Sequence, residues 1–252
     1  LKYGIPLIPH ALSSFILAYF DRIAINQLIG SSATGLYSFA YNIGMIMNVI
    51  VMATNKSWIP IFYKNLKLGH LKKINKLAYN YSKYIYFFAS GLILFSKEIV
   101  IIMSDSSYHT ALGLIPIFII SYVFIFLYTL FANYSFYRKK TYLISIATFI
   151  AGILNIGLNY YFIPKFGYIA AAYTTLFSYI VLFIFHYMNV KFILKEKTIS
   201  LIKVIKNLYV VMIIALGYIF VLKYVRDSYL AFFIKIVIVV LIGWDWFIRD
   251  EI

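Results

Sequence analysis

The chain has 252 residues, 63% hydrophobic and 20% aromatic but only 12% charged, with a mean hydropathy of +0.88. Soluble domains carry about a quarter charged residues, so this composition excludes a soluble globular protein and leaves no room for a sizeable soluble domain. The formal charge of +15 falls in short connections between apolar runs, the positive-inside pattern. It is not the concentrated basic face of a nucleic-acid binder, which excludes nucleic acid as a partner, and the absence of cysteine removes disulfides and thiolate chemistry.

In chain order, apolar runs of about twenty residues, enough to cross a hydrocarbon core about 30 Å thick, predict spanning helices over 4–29, 33–55, 77–96, 110–136, 141–162, 167–189, 207–224 and 229–248. The expected fold is therefore all-α, a polytopic membrane bundle of about eight helices. The connections alternate in charge: Lys56 to Lys76, Arg138 to Lys140 and Lys191 to Lys206 are basic, with Lys2 and Arg249 at the two ends. The opposite side holds only Lys97, Lys165, Lys223 and Arg226, so both ends are expected to be cytoplasmic. The chain begins at Leu1 and enters a span at once, which reads as a piece of a longer polytopic protein.

The first span carries Asp21 and Arg22 side by side, and ionisable residues at that depth mark a functional site by default. Projected at 100° per residue, His10, Ser14 and Asp21 fall within about 40° of one another, whereas Arg22 points about 100° away. Neighbours in sequence do not face each other on a helix, so each charge is expected to find its partner on another helix or in water. Pro6 and Pro9 make a bend near the start of this span.

In the second span Tyr37, Tyr41, Gly44, Asn48 and Asn55 fall within about 60° of helical arc. Such a stripe faces protein or a water-filled cavity, because an unsatisfied amide in lipid costs several kcal/mol; lining a cavity is the expectation here. Gly91, Gly113, Gly152, Gly157 and the run Ala170, Ala171, Ala172 are read as close-approach points between helices. Lys83 and Lys235 are expected to snorkel to the two interfaces. Asp245 between Trp244 and Trp246 reads as an interfacial anchor.

His10, His70, His109 and His186 show no metal-ligand spacing. No nucleophile elbow, phosphate loop or dinucleotide fingerprint is present, and eight acidic residues make paired carboxylates hard to assemble. No cofactor, metal site or catalytic residue is expected. The basic connections, with interspersed Leu and Ile, are expected to lie on anionic phospholipid.

Two stretches, GIPLIPHALSSFILAYFDRIAINQLIGSSATGLYSFAYNIG (Gly4 to Gly44) and LNIGLNYYFIPKFGYIAAAYTTLFSY (Leu154 to Tyr179), resemble the polysaccharide flippases of the multidrug/oligosaccharidyl-lipid/polysaccharide exporter superfamily, the translocases of O-antigen or capsule lipid-linked oligosaccharide. The resemblance implies a carboxyl-terminal half: residues 1–190 as the second six-helix lobe, 191–252 as a basic connection with two additional helices, and a missing amino-terminal lobe as partner. It implies a non-enzymatic flippase in a bacterial inner membrane, working on a polyprenyl-diphosphate sugar by alternating access. Arg22 would contact the pyrophosphate or acidic sugars, since its fork pairs with phosphate oxygens. Asp21 would hold Arg22 through water or a neighbouring helix, or respond to the coupling ion. Tyr37, Tyr41, Asn48 and Asn55 would face the sugar, with His10 and Ser14 on the same candidate site. A cation-coupled multidrug exporter and a membrane polymerase or glycosyltransferase are the alternatives; the first calls for more cavity carboxylates, the second for a large external loop.

Overall fold

The computed structural model describes residues 7–224 and 229–248, and among them it contains helices and turns but no strand. The chain is a polytopic helical bundle, as its composition requires. The expectations placed on Lys2, Pro6, Arg226 and Arg249 fall outside the described residues. The helices are α1 (Leu7–Leu28), α2 (Ser31–Lys67), α3 (Leu71–Leu94), α4 (Ser96–Met103), α5 (Ile115–Tyr137), α6 (Thr141–Phe166), α7 (Ile169–Met188), α8 (Leu201–Ile205), α9 (Leu208–Tyr224) and α10 (Tyr229–Gly243). Among the described residues six stretches are long and apolar enough to cross a membrane, and a seventh counts if α3 and α4, bent by 55° at their junction, form one broken span. With 22 residues, α1 also has the length to cross, though His10, Asp21 and Arg22 make it less apolar.

The core is built around α5. Its span from Ser106 to Tyr137 has 89% of its most apolar stretch buried, against 6% for the stretch from Ala231 to Ile248. It packs against α2, α7 and α3, while α1 and α6 pair along their length and α6 packs on α7. At the crossing of α2 and α5, a Cβ on Gly44 would lie 2.5 Å from Phe118 Cβ, so only glycine allows this approach. Gly152 lies close to Ser13 of α1, but Gly91, Gly113 and Gly157 have open space around them and do not act as the close-approach points expected of them.

Two expected boundaries are displaced for identifiable reasons. The second span does not end near Asn55 but continues to Lys67, because Trp58, Phe62 and Asn65 continue the buried face one and two turns further on. Trp58 packs on Tyr81 at 5.5 Å and Phe62 on Tyr134 at 4.8 Å between ring centres. The basic stretch Lys64 to Lys76 is consequently a helix end, a turn at Gly69 with φ +68°, and the start of α3. Similarly α6 runs through Pro164 to Phe166 and stops at Gly167, whose φ of +72° other residues rarely adopt. Pro9 falls in the first turn of α1, where an N–H has no intrahelical acceptor in any case.

Helices α9 and α10 attach to the outside of α3. Phe247 stacks on Tyr84 at 4.7 Å and Phe95 meets Phe232 at 5.8 Å. Lys235 has a protein partner that its sequence neighbours do not reveal: its Nζ pairs with Glu98 Oε1 of α4 at 2.6 Å. Lys83 does not reach open solvent; it is 5% exposed and donates to the backbone oxygen of Trp246. Trp246 is itself buried, so of the supposed anchor pair only Trp244 is exposed. Beyond the end of α5, Arg138 pairs with Glu196, and this hydrogen-bonded carboxylate holds the guanidinium above its ordinary pKa.

Candidate functional site

The conspicuous polar centre of the bundle is Asp21. At 1% exposure it lies where α1, α2, α6 and α7 meet, and its two oxygens accept three hydrogen bonds. Tyr37 OH and Thr175 Oγ1 each donate to Oδ2 at 2.5 Å, and Asn159 Nδ2 donates to Oδ1 at 2.5 Å. A second layer orients these donors. Asn159 also donates to Asn155 Oδ1 at 3.2 Å and accepts from Thr174 Oγ1 at 2.5 Å, while Asn155 reaches Thr175 at 3.5 Å. Every residue of this knot is buried. In an apolar interior each bond is worth more than at a surface, and each donor left over would cost more.

Arg22 goes elsewhere, as the helical projection requires. Its Nε donates to Ser38 Oγ at 3.0 Å and Nη1 to the carbonyl of Ala18 at 3.1 Å. Its guanidinium lies over the Tyr41 ring at 4.3 Å, with Tyr19 at 5.4 Å, a cation–π arrangement. Two of the five guanidinium N–H donors are thereby used. The side chain remains partly exposed, beside the 48%-exposed Tyr19. Asp21 and Arg22 make no direct contact: Asp21 accepts from Tyr37, Asn159 and Thr175 while Arg22 turns to Ser38, so what links them is α2, which carries both Tyr37 and Ser38.

The other singled-out residues divide between these two environments. Tyr37 is fully buried in the knot; Tyr41 joins it to Arg22, stacking near Tyr37 at 6.4 Å and edge-on to Phe118 at 5.2 Å. Asn55 Oδ1 accepts from Asn133 Nδ2 of α5 at 3.1 Å, and Asn48 Oδ1 is buried without a hydrogen-bond partner. The α2 stripe therefore packs on α5 over much of its length instead of lining an open cavity. His10 Nδ1 lies 2.8 Å from Thr148 Oγ1 of α6, so the His10–Asp21 stripe does face one neighbouring helix. Ser14 is partly exposed. Among the described residues no three His, Asp or Glu side chains gather as metal ligands would.

Sequence reasoning missed Asn155, Asn159, Thr174 and Thr175, which complete the knot. A signal existed: Asn155 and Asn159 are an i, i+4 amide pair inside an apolar span, the same type of clue that marked α2. An apolar groove of about 850 Å³ runs between α6 and α7, lined among others by Phe162, Tyr173 and Phe177, with Thr174 of the knot in its wall.

Two sequence comparisons bear on this site. A family model described as polysaccharide biosynthesis protein matches residues 1–66, the stretch that carries Asp21, Arg22, Tyr37 and Tyr41. The Lsg locus protein 1 of Haemophilus influenzae is 27% identical over 158 residues, covering 62% of this chain and 39% of the relative. An uncharacterized membrane protein of the same organism is 24% identical over 165 residues, again covering 62% and 39%. The matches thus span well under half the length of these relatives, and no solved structure matches the chain. The chain is a multi-pass membrane protein similar, over its first quarter, to polysaccharide biosynthesis proteins.

Proposed function

We propose that this chain forms part of a transporter that flips a lipid-linked oligosaccharide across the bacterial cytoplasmic membrane during surface polysaccharide synthesis, without catalysing a covalent step. The observation that carries the reading is the Arg22 guanidinium, held over the Tyr41 ring with donors to spare, inside the segment that matches polysaccharide biosynthesis proteins. Guanidinium donors fixed in plane suit the oxygens of a diphosphate, the group that joins sugar to polyprenol in such a substrate. Tyr19 and Tyr41 offer ring faces beside it. Asp21, in this reading, is the tie that holds α1 against α2, α6 and α7 so that Arg22 keeps its position.

The working unit includes a second, amino-terminal lobe, against which this one rocks in alternating access, with both ends of the present chain on the cytoplasmic side. A cation-coupled drug exporter would use Asp21 as an open ion site, whereas here its oxygens already accept Tyr37, Asn159 and Thr175.

The test is genetic complementation in the producing strain with the complete protein. Arg22→Ala is expected to abolish surface polysaccharide at unchanged membrane abundance, and Arg22→Lys to restore only part, since an ammonium supplies charge without the planar fork. Normal polysaccharide in Arg22→Ala would refute the reading.

A further inference from the structure

A second polar place in the bundle has the opposite character to the Asp21 knot. Between α3, α8 and the π-helical segment Trp244–Ile248 lies an open cavity of about 820 Å³, lined by Lys76, Lys83, Lys203 and Lys206 together with Tyr79 and Trp246 and other side chains, none of them acidic. On α3 the spacing 76, 79, 83 places three of these on one face, and Lys203 and Lys206 stand on the short helix opposite and just after it.

The two walls are fastened together. The backbone N–H of Ser200 donates to Asn75 Oδ1 at 2.6 Å, and Tyr86 OH donates to the carbonyl of Val204 at 2.8 Å, one bond on each side of Lys203. Lys83 is nine-tenths buried at the wall, bonded to the Trp246 carbonyl with its Nζ 5.1 Å from the Tyr79 ring centre, and Lys206 approaches the same ring at 6.0 Å. The three exposed ammonium groups around this cavity, on Lys76, Lys203 and Lys206, repel each other and create a local potential that concentrates anions. The cavity has the size of a small-molecule site. Its cations are lysines, compact charges that accept a phosphate in several orientations. It belongs to the end of the bundle where the basic connections gather, and basic pockets between membrane helices on that side suit phosphate headgroups of lipids.

We infer that this cavity is a binding site for a phosphate-bearing lipid headgroup, of the doubly charged diphosphatidylglycerol type. The site goes beyond the transport reading and does not depend on it; its test measures lipid retention, not translocation.

The experiment is native mass spectrometry of the full chain in detergent, titrated with diphosphatidylglycerol. Wild type is compared with the triple variant K76Q/K203Q/K206Q and with K64Q/K67Q/K73Q, which removes the same charge from exposed lysines outside the cavity. The cavity triple is expected to hold the lipid about tenfold more weakly, because it loses three cations near the anionic headgroup, while the control triple retains wild-type binding. Equal losses in both triples, or no loss in the cavity triple, would overturn the site in favour of diffuse surface attraction. Competition with sodium pyrophosphate separates the sources: no displacement assigns the site to the lipid, and lysine-dependent displacement at matched concentration assigns the phosphate chemistry to a soluble diphosphate. Should the triple lower the thermal unfolding midpoint, the double variant K203Q/K206Q on α8 carries the same comparison.

Discussion

The Asp21 knot and the lysine cavity are both polar clusters in an apolar molecule, but the first is buried and closed while the second opens outward. In the knot every donor has an acceptor within the chain: Tyr37, Asn159 and Thr175 converge on one carboxyl group. In the cavity, Lys76, Lys203 and Lys206 stand exposed around a space whose lining contains no carboxylate. A saturated cluster serves to hold helices together; a cluster of one sign facing an opening is completed by something from outside. Arg22 stands between these extremes, fixed by Ser38 and Tyr41 but with N–H groups left over.

The largest expected effect comes from breaking the knot. Asp21→Leu strands three buried donors, each costing about 1–3 kcal/mol when unpaired, so a loss of about 3 kcal/mol or more of stability is expected, read as a lower thermal unfolding midpoint in detergent. An unchanged midpoint would mean that the knot does not tie the helices. Next is Gly44→Ala, whose Cβ would fall 2.5 Å from that of Phe118; forcing α2 and α5 apart is expected to cost about 1–3 kcal/mol. Thr175→Val removes one donor while leaving Asp21 two others, and about 1 kcal/mol is expected. At the small end, K76Q/K203Q/K206Q is expected to change stability by no more than about 0.5 kcal/mol, because these three lysines are exposed. A clear stabilisation by that triple would sharpen the contrast, since it would measure the mutual repulsion directly.

Much of this architecture is legible in the residues themselves, and the parts that are not have physical causes. Hydropathy locates the spans, since lipid rewards only runs long enough to cross it. The 100° projection separates Asp21 from Arg22 and aligns Tyr37 with Tyr41, because both follow from backbone geometry alone. The continuation of α2 to Lys67 is hidden because Lys56 and Lys64 read as a connection while Trp58 and Phe62 pack on α3 and α5, contacts between residues far apart in the chain. For the same reason the pairing of Lys235 with Glu98 and of Lys83 with the Trp246 carbonyl cannot be read from either residue's neighbours. The partners of Asp21 on α6 and α7 stand well over a hundred positions away; their residue types are visible inside the spans, but which helix they meet is decided by packing.

The central claim is that adjacent residues on α1 have divided roles, Asp21 holding the bundle and Arg22 meeting the substrate. The most direct measurement is surface polysaccharide per unit of membrane-inserted protein in the producing strain for Arg22→Ala beside Thr175→Val. The account predicts that Arg22→Ala loses polysaccharide with its abundance and unfolding midpoint preserved, while Thr175→Val lowers the midpoint and keeps polysaccharide in proportion to the protein that remains. Normal polysaccharide per protein in Arg22→Ala, or its loss in Thr175→Val at full abundance, would contradict it.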